Sequence, residues 1–204
     1  TVTVKFRDTD SRDKGEAELK KRFAGWAFIT REEGSEHLLI GQLKQQEHAG
    51  YEYEAADGSF HILVQKLLRK HKPFFKLLAY RVIMDKHGDD GHHIVEASVK
   101  LEVKGKAVHT VAEGDGPINA LDTALRKALL KSYPAIAEVR LVDFKVRIVD
   151  SSAGTAAKTR VIIESTDGVD TWGTVGVHDN IIEASWEALV DSVEYKLFKD
   201  EQKK

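Results

Sequence analysis

The chain has 204 residues, of which 42% are hydrophobic and 31% are charged, and this ordinary globular balance excludes global disorder. A formal net charge of -2 argues against a dedicated nucleic-acid binder, which normally carries a basic excess. The absence of cysteine excludes disulfides, thiolate metal sites and cysteine nucleophiles, and no apolar run reaches the roughly 18 residues that a membrane helix needs.

Residues 1–35 form a connector that we assign to no domain. Val2, Val4 and Phe6 alternate as in a short strand, and residues 16–28 have helical spacing. The opening is polar and charged rather than secretory, so we expect a cytoplasmic protein. Because the first residue is threonine rather than methionine, we also expect the chain to be a fragment of something longer.

Residues 36–72 are interpreted as a small helical region, the linker subdomain. One amphipathic helix is predicted from Glu36 to about Gln46. A second is predicted to begin near Ser59, as its N-cap, and to be stopped by Pro73. Its apolar residues share one face at helical spacing: Phe60, Leu63, Val64, Leu67 and Leu68.

Two copies of a βββα unit follow, repeat one at about 77–132 and repeat two at about 139–197. Equivalent residues lie 63 or 64 positions apart, and the predicted hairpin turns, Lys104-Gly105 and Asp167-Gly168, contain the glycine that tight turns favour. The predicted fold class is therefore α+β, with duplicated βββα units. One unit alone buries too little apolar surface, so two units or two chains must pair.

The turn between the third strand and the helix of repeat one is the first candidate site. Gly114 and Gly116 would let the backbone bend sharply and a ligand approach it, and Pro117 suits the first helical turn. The free N–H groups of a helix start favour a carboxylate or phosphate. The alternative is a tight connection without a ligand. A dinucleotide fingerprint is excluded, because the surrounding pattern is antiparallel hairpin.

The loop at residues 151–160 is the second candidate. Its small side chains could wall a pocket for a compact apolar ligand, and the alternative is a plain surface loop. A metal reading of His87, His92 and His93 is less favoured than a solvated turn, because they lack regular ligand spacing on a rigid element. His109 and Trp172 are interpreted as equivalent residues on a sheet face. We find no catalytic constellation and no G-x-S-x-G elbow.

A double-stranded-RNA-binding domain has a similar order of elements and needs basic residues at the start of its last helix. Repeat one places Asp115 and Asp122 there, and repeat two places Asp179 and Glu183. These acids repel phosphate, so no nucleic-acid partner is expected.

Several motifs in the right order resemble the C-terminal regulatory domain of the citramalate and 2-isopropylmalate synthase family. The residues of these motifs are more similar to the citramalate branch. The resemblance spans about 37–198. The matching segments are 50–60, 72–75 with 80–83, 112–121 (AEGDGPINAL), 154–160 (GTAAKTR), 164–168 (ESTDG), 172–176 (WGTVG) and 180–186 (NIIEASW).

The resemblance implies that residues 73–198 form an allosteric, amino-acid-binding dimerisation domain that works as a homodimer. Its effector would be isoleucine in the citramalate branch or leucine in the isopropylmalate branch. Carried over by position, the effector pocket would be lined by Gly114, Gly116, Pro117, Ile118, Leu141, Phe144, Ile148, Ala157 and Thr159.

Catalysis in this family, which joins acetyl-CoA to a 2-oxo acid, takes place on a separate metal-dependent barrel. None of its motifs occurs here, so we expect no activity, catalytic residue, metal or cofactor in this chain alone. Two alternatives stay open: the regulatory domain of a 2-isopropylmalate synthase, and a dimerisation module that binds no ligand.

Overall fold

A computed structural model describes residues 36–68, 70–86, 93–149 and 151–202. The predicted strand and helix within residues 1–35 lie outside these ranges, as do His87 and His92. Within them, no helix combines the length and the apolar character required to cross a membrane.

The linker subdomain contains two helices, α1 (Glu36–Ala49) and α2 (Asp57–Leu67). Helix α2 begins earlier than predicted, with Ala56 rather than Ser59 as N-cap, and ends well before Pro73. The prediction was wrong because the hydroxyl of Ser59 has a tertiary partner instead, the backbone N–H of Val175 at 2.9 Å.

Repeat one is a three-stranded antiparallel sheet followed by one helix, and its strands lie side by side in chain order. Its second hairpin turn has positive φ at both Lys104 and Gly105, 51° and 75°, as a two-residue turn requires. The elements are β1 (Phe75–Lys86), β2 (His93–Val103), β3 (Lys106–Glu113) and α3 (Pro117–Leu130).

Repeat two has the same order, three strands side by side in chain order and then a helix. Gly168, with φ 85°, forms the turn that corresponds to Gly105. The elements are β4 (Arg140–Ile148), β5 (Thr159–Thr166), β6 (Thr171–His178) and α4 (Ile181–Gln202), with short 3-10 turns at Pro134–Glu138 and Ser151–Ala156.

Internal contacts confirm the duplication of the βββα unit. The first strand of each repeat bulges at the same place, at Leu78 and at Val142. In repeat one the hydroxyl of Thr110 donates to the Ala124 carbonyl at 2.7 Å. In repeat two Thr174, 64 residues further on, donates in the same way to the Ala188 carbonyl at 2.8 Å. The α+β fold class is thereby confirmed.

The equivalence of His109 and Trp172 was wrong by one residue. Since Thr110 corresponds to Thr174, Trp172 corresponds to Val108, and His109 corresponds to Gly173. Trp172 faces helix α4 and is 1% exposed, whereas His109 is exposed on the opposite face of its sheet. A one-residue shift along a strand changes the face, because side chains alternate.

The hydrophobic core lies between the sheets and the two helices that follow them. Helix α3 lies across β2 and β3, and helix α4 across β5 and β6. The buried small residues Ala120 and Ala124 of α3, and Ala184 and Ala188 of α4, let the helices approach the strands closely. Neither helix extends far over the first strand of its own sheet, and this leaves β1 and β4 mostly exposed.

Candidate functional site

The glycine turn before helix α3 depends on close packing rather than on a left-handed backbone. The N–H of Gly114 donates to the Val95 carbonyl at 3.1 Å, and a Cβ atom at Gly114 would lie 2.5 Å from the backbone nitrogen of Ala120. Gly116 is extended, with φ -164°, and has open space beside it. Neither glycine has a positive φ: Gly114 is required by contact, and Gly116 leaves room.

The start of helix α3 has no side-chain cap. Its N-cap is Gly116, followed by Pro117, and no side chain accepts a hydrogen bond from the first helical turn. Asn119, which could reach back, accepts instead from the N–H of Asp115 at 3.2 Å. An uncapped helix start offers backbone N–H donors and the positive end of the helix dipole, which together suit a carboxylate.

The predicted residues of β4 all lie on the face of the sheet that points toward the helices. The bulge at Val142 brings Leu141, Phe144 and Ile148 to this one side, although their numbers do not alternate evenly. Leu141 and Phe144 are partly buried against the core. Ile148 is 64% exposed.

The residues after the 3-10 turn lie at the same end of this sheet. Thr159 is the strand partner of Ile148. Ala157 is buried, and its N–H donates to the carbonyl of Gly154, whose φ is 59°. The structure thus brings Ile148, Ala157 and Thr159 together at one end of repeat two.

Within one chain the nine predicted residues differ in how far they are buried. Ile118, Leu141 and Phe144 border the shared core, but Ile148 does not. The described region has one cavity between the linker subdomain and α4 and another beside Tyr133. None of the nine residues lines either of these two cavities.

Sequence reasoning missed an uncovered apolar surface on the first strands. On the helix-facing side, Leu77 and Met84 of β1 and Val146 and Ile148 of β4 are exposed, Met84 by 59%. The opposite side of β4 carries charged residues such as Lys145 and Arg147. This alternation was readable from the sequence, but it does not tell whether a helix covers the apolar side.

Sequence reasoning also missed the side chains that hold the linker subdomain against repeat two. Asp57 accepts from the N–H of Gly173 at 2.7 Å, and Ser59 accepts from that of Val175. A Cβ atom at Gly173 would overlap the Ala55 carbonyl. Arg160 makes a further contact between the same two regions: it donates to the Gly50 carbonyl at 2.5 Å and pairs with Glu52.

A metal centre finds no support among the described residues, where no group of three potential ligands comes together. Two of the three clustered histidines, His87 and His92, lie outside the described ranges.

Fold, repeat and glycine turn define a class of protein. Residues 54–197 match the family model of the LeuA allosteric (dimerisation) domain, which begins inside the region interpreted as the linker subdomain. The chain belongs to this family of regulatory domains, which are found in citramalate and 2-isopropylmalate synthases.

Among similar proteins, the citramalate branch is the nearer. An (R)-citramalate synthase of Aquifex aeolicus is 52% identical over 164 residues, 80% of this chain and 31% of the relative. That of Streptomyces coelicolor is 41% identical over 202 residues, 97% of this chain and 37% of the relative, a match that takes in most of residues 1–35. A 2-isopropylmalate synthase of Aquifex aeolicus is 29% identical over 93% of this chain. The chain spans about a third of the length of these relatives.

Proposed function

We propose that this chain is the feedback sensor of a citramalate synthase-like acyltransferase. It forms a homodimer and binds isoleucine, the branched-chain end product, to inhibit a catalytic barrel elsewhere in the parent protein. The parent would join acetyl-CoA to pyruvate in the cytoplasm. Its catalytic groups, with any metal or cofactor, would belong to that barrel.

The carboxylate of the effector has a docking point at helix α3. The observation that carries the proposal is the difference between the two helix starts. At α4 the side chain of Asn180 accepts from the N–H of Ile182 at 2.8 Å, while the equivalent residue of repeat one, Gly116, has no side chain to do so. A carboxylate bound beside Gly116 would supply the missing acceptor.

The hydrocarbon part of the effector needs an apolar slot, worth about 1.5–3 kcal/mol when fully buried. Ile118 borders the core near the helix start, and Phe144 and Ile148 offer further apolar surface. In one chain this surface is open to solvent at Ile148. We infer that the second protomer closes it.

Dimerisation would use the uncovered apolar side of β1 and β4. Leu77, Met84, Val146 and Ile148 form exposed apolar surface on the helix-facing side of the two strands, which is the pattern of a sheet face awaiting a partner. The family description names the domain a dimerisation domain.

Titration calorimetry of the chain with isoleucine, leucine and valine tests the proposal. We expect saturable binding with isoleucine preferred, and no thiol release from acetyl-CoA by the chain alone. Gly116→Asp should abolish binding, because its carboxylate occupies the helix start and repels that of the ligand. Asn180→Asp adds the same charge at the equivalent position of repeat two and should leave binding unchanged.

Two results would contradict the proposal. Absence of heat with all three amino acids at millimolar concentration would favour a dimerisation module without a ligand. Preference for leucine would instead favour the 2-isopropylmalate branch, which the 29% identity to that enzyme keeps as the second candidate. Discrimination between the two isomers rests on one methyl position, about 1–3 kcal/mol.

A further inference from the structure

A cavity of about 300 Å³ lies where the linker subdomain meets helix α4. Three aromatic side chains line it, Tyr51, Tyr53 and Trp186. The rings of Tyr51 and Tyr53 are stacked, with centroids 6.0 Å apart. The volume suits a small molecule, and aromatic faces attract cations as well as apolar groups.

Two carboxylates form the polar part of this cavity. Glu187 and Asp191 lie one turn apart on α4, the spacing at which like charges repel each other. The Nζ atom of Lys66 lies 3.6 Å from Asp191 Oδ1, and the Lys66 side chain is 52% exposed while that of Asp191 is 17% exposed. One half-exposed ammonium group therefore faces two carboxylates, and the cavity is left with excess negative charge.

Among the described residues, the hydrogen bonds of these carboxylates leave Glu187 Oε1 without a donor and Asp191 Oδ1 with only the Lys66 ammonium near it. Glu187 Oε2 accepts from the Tyr51 hydroxyl at 2.9 Å and from the Val177 N–H at 3.1 Å. Asp191 Oδ2 accepts from the Ser59 hydroxyl at 2.7 Å. No hydrogen bond from the described residues reaches Glu187 Oε1, and Asp191 Oδ1 faces the half-exposed Lys66 ammonium at 3.6 Å. A ligand N–H group can therefore bind the first oxygen directly and compete with Lys66 for the second.

The pKa values of two groups in the cavity also indicate an excess of negative charge. Burial raises the pKa of Asp191 to about 6, and the charges of Glu194 and Glu187 add to the rise against the opposing Lys66 ammonium. Burial and the neighbouring Glu187 also raise the pKa of Tyr51. The part of these rises that comes from neighbouring carboxylates disfavours further negative charge in the cavity, and a cation would relieve that repulsion.

Repeat one lacks this arrangement. The residues of α3 that correspond to Glu187 and Asp191, 64 positions earlier, are Thr123 and Lys127. The acidic pair is therefore not needed for the βββα fold, and it occurs in the repeat that meets the linker subdomain.

We propose that this cavity binds a small primary alkylammonium ion. The nitrogen donates hydrogen bonds to the two carboxylates, and the hydrocarbon part packs against the three aromatic rings. The same carboxylates repel the carboxylate of an amino acid, so this ligand differs in class from the effector proposed above. Neither proposal requires the other.

Calorimetric titration of the 204-residue chain with n-butylammonium chloride, with sodium chloride at equal concentration as the reference, tests the inference. We expect saturable binding that potassium chloride does not compete away. Neutral n-butanol should show none. Glu187→Gln and Asp191→Asn should each weaken binding about tenfold or more, because each removes a buried charge partner of the ligand. Glu164→Gln, on the exposed side of β5, makes the same charge change elsewhere and should bind as the parent does.

Circular dichroism of each variant separates loss of binding from loss of fold. If an acid variant unfolds, Lys66→Met serves instead: removal of the competing ammonium group should tighten n-butylammonium binding several-fold. The inference is overturned by no saturable binding, by equal binding of n-butanol, by full competition from potassium, or by unchanged affinity in the acid variants. A loss of affinity in Lys66→Met would overturn it as well.

Discussion

The two repeats share one fold but differ in what surrounds them. In repeat two, strand β6 is buried on both faces, since Trp172 faces α4 and Val175 packs against the linker subdomain. In repeat one, the corresponding side of β3 is exposed at His109, Val111 and Glu113. Duplication therefore preserved the scaffold, while the third strand of one copy came to hold the linker subdomain.

The helix starts differ in the same sense. Helix α4 is capped by its own Asn180, whereas α3 begins at Gly116 without a cap. Repeat two caps its own helix start and contacts the linker subdomain. Repeat one leaves backbone N–H donors and open space at its helix start. The comparison teaches that equivalent positions of the two repeats differ most in which backbone N–H groups lack an acceptor.

Exchanging equivalent residues of the third strands should give the largest effect. Gly173→His introduces the residue that repeat one carries at position 109, and its side chain would collide with the Ala55 carbonyl. We expect a loss of about 3 kcal/mol in the free energy of unfolding, measured by urea titration. His109→Ala, on the exposed side of β3, should change it by less than about 0.5 kcal/mol. Equal losses in both variants would contradict the asymmetry.

The exposed apolar side of the first strands should matter for assembly rather than for folding. Ile148→Lys places a charge on the surface proposed to be buried between protomers. We expect the dissociation constant of the dimer to rise about 30- to 100-fold, or about 2–3 kcal/mol. Arg147→Ala, on the charged side of the same strand, is the control. Analytical ultracentrifugation measures both, and an unchanged dimer in Ile148→Lys would refute the assignment of the interface.

A pH titration sharpens the comparison between the helices, because only α4 carries an acid at the position of Asp191. Burial raises the pKa of Asp191 to about 6 in the folded chain from 3.8, so the folded state binds the proton more tightly than the unfolded state. This acid therefore destabilises the fold more when it is ionised. Relative to Asp191→Asn, the parent chain should gain about 2 kcal/mol as the pH falls from about 7 to about 4.

Denaturant titrations of both variants across this range provide the measurement. Lys66, Glu187, Glu194 and the hydroxyl of Ser59 face Asp191 and are common to both variants, so the difference isolates the one carboxyl group. A difference in stability that does not vary with pH would contradict the prediction.

The smallest effect is expected from exchanging the helix caps. Gly116→Asn should stabilise the ligand-free chain by a few tenths of a kcal/mol, and Asn180→Gly should destabilise it by a similar amount, because asparagine accepts from the first helical turn. Gly116→Asn should also weaken isoleucine binding. Thermal unfolding with and without isoleucine measures both, and tighter binding in Gly116→Asn would contradict a ligand carboxylate at this helix start.

Much of the fold could be predicted from local pattern. The glycine turns at Gly105 and Gly168 and the offset of 63 or 64 residues between the repeats predicted the order of elements, because a short turn brings together strands adjacent in sequence. Ser59 was misread as a cap because its partner, Val175, is 116 residues away. Local patterns do not contain such long-range contacts.

The candidate site was predictable to a smaller extent. The pattern GDGP identified an open helix start, and the structure shows why Gly114 is needed there. The pattern gave no sign that β1 and β4 lie beyond the reach of the helices, because coverage depends on where α3 and α4 cross their sheets. The acidic pair of α4 also went unnoticed, since each acid alone resembles a solvated helix residue.

The side chains along the free edge of β6 have a consequence for growth of the sheet. Asp57, Ser59 and Glu187 each accept a hydrogen bond from an outward N–H of that strand, at Gly173, Val175 and Val177. An edge occupied in this way offers no template to a foreign strand, so β6 is protected from runaway strand addition and fibril formation. Any intermolecular strand pairing by this protein must therefore begin at another border of its two sheets.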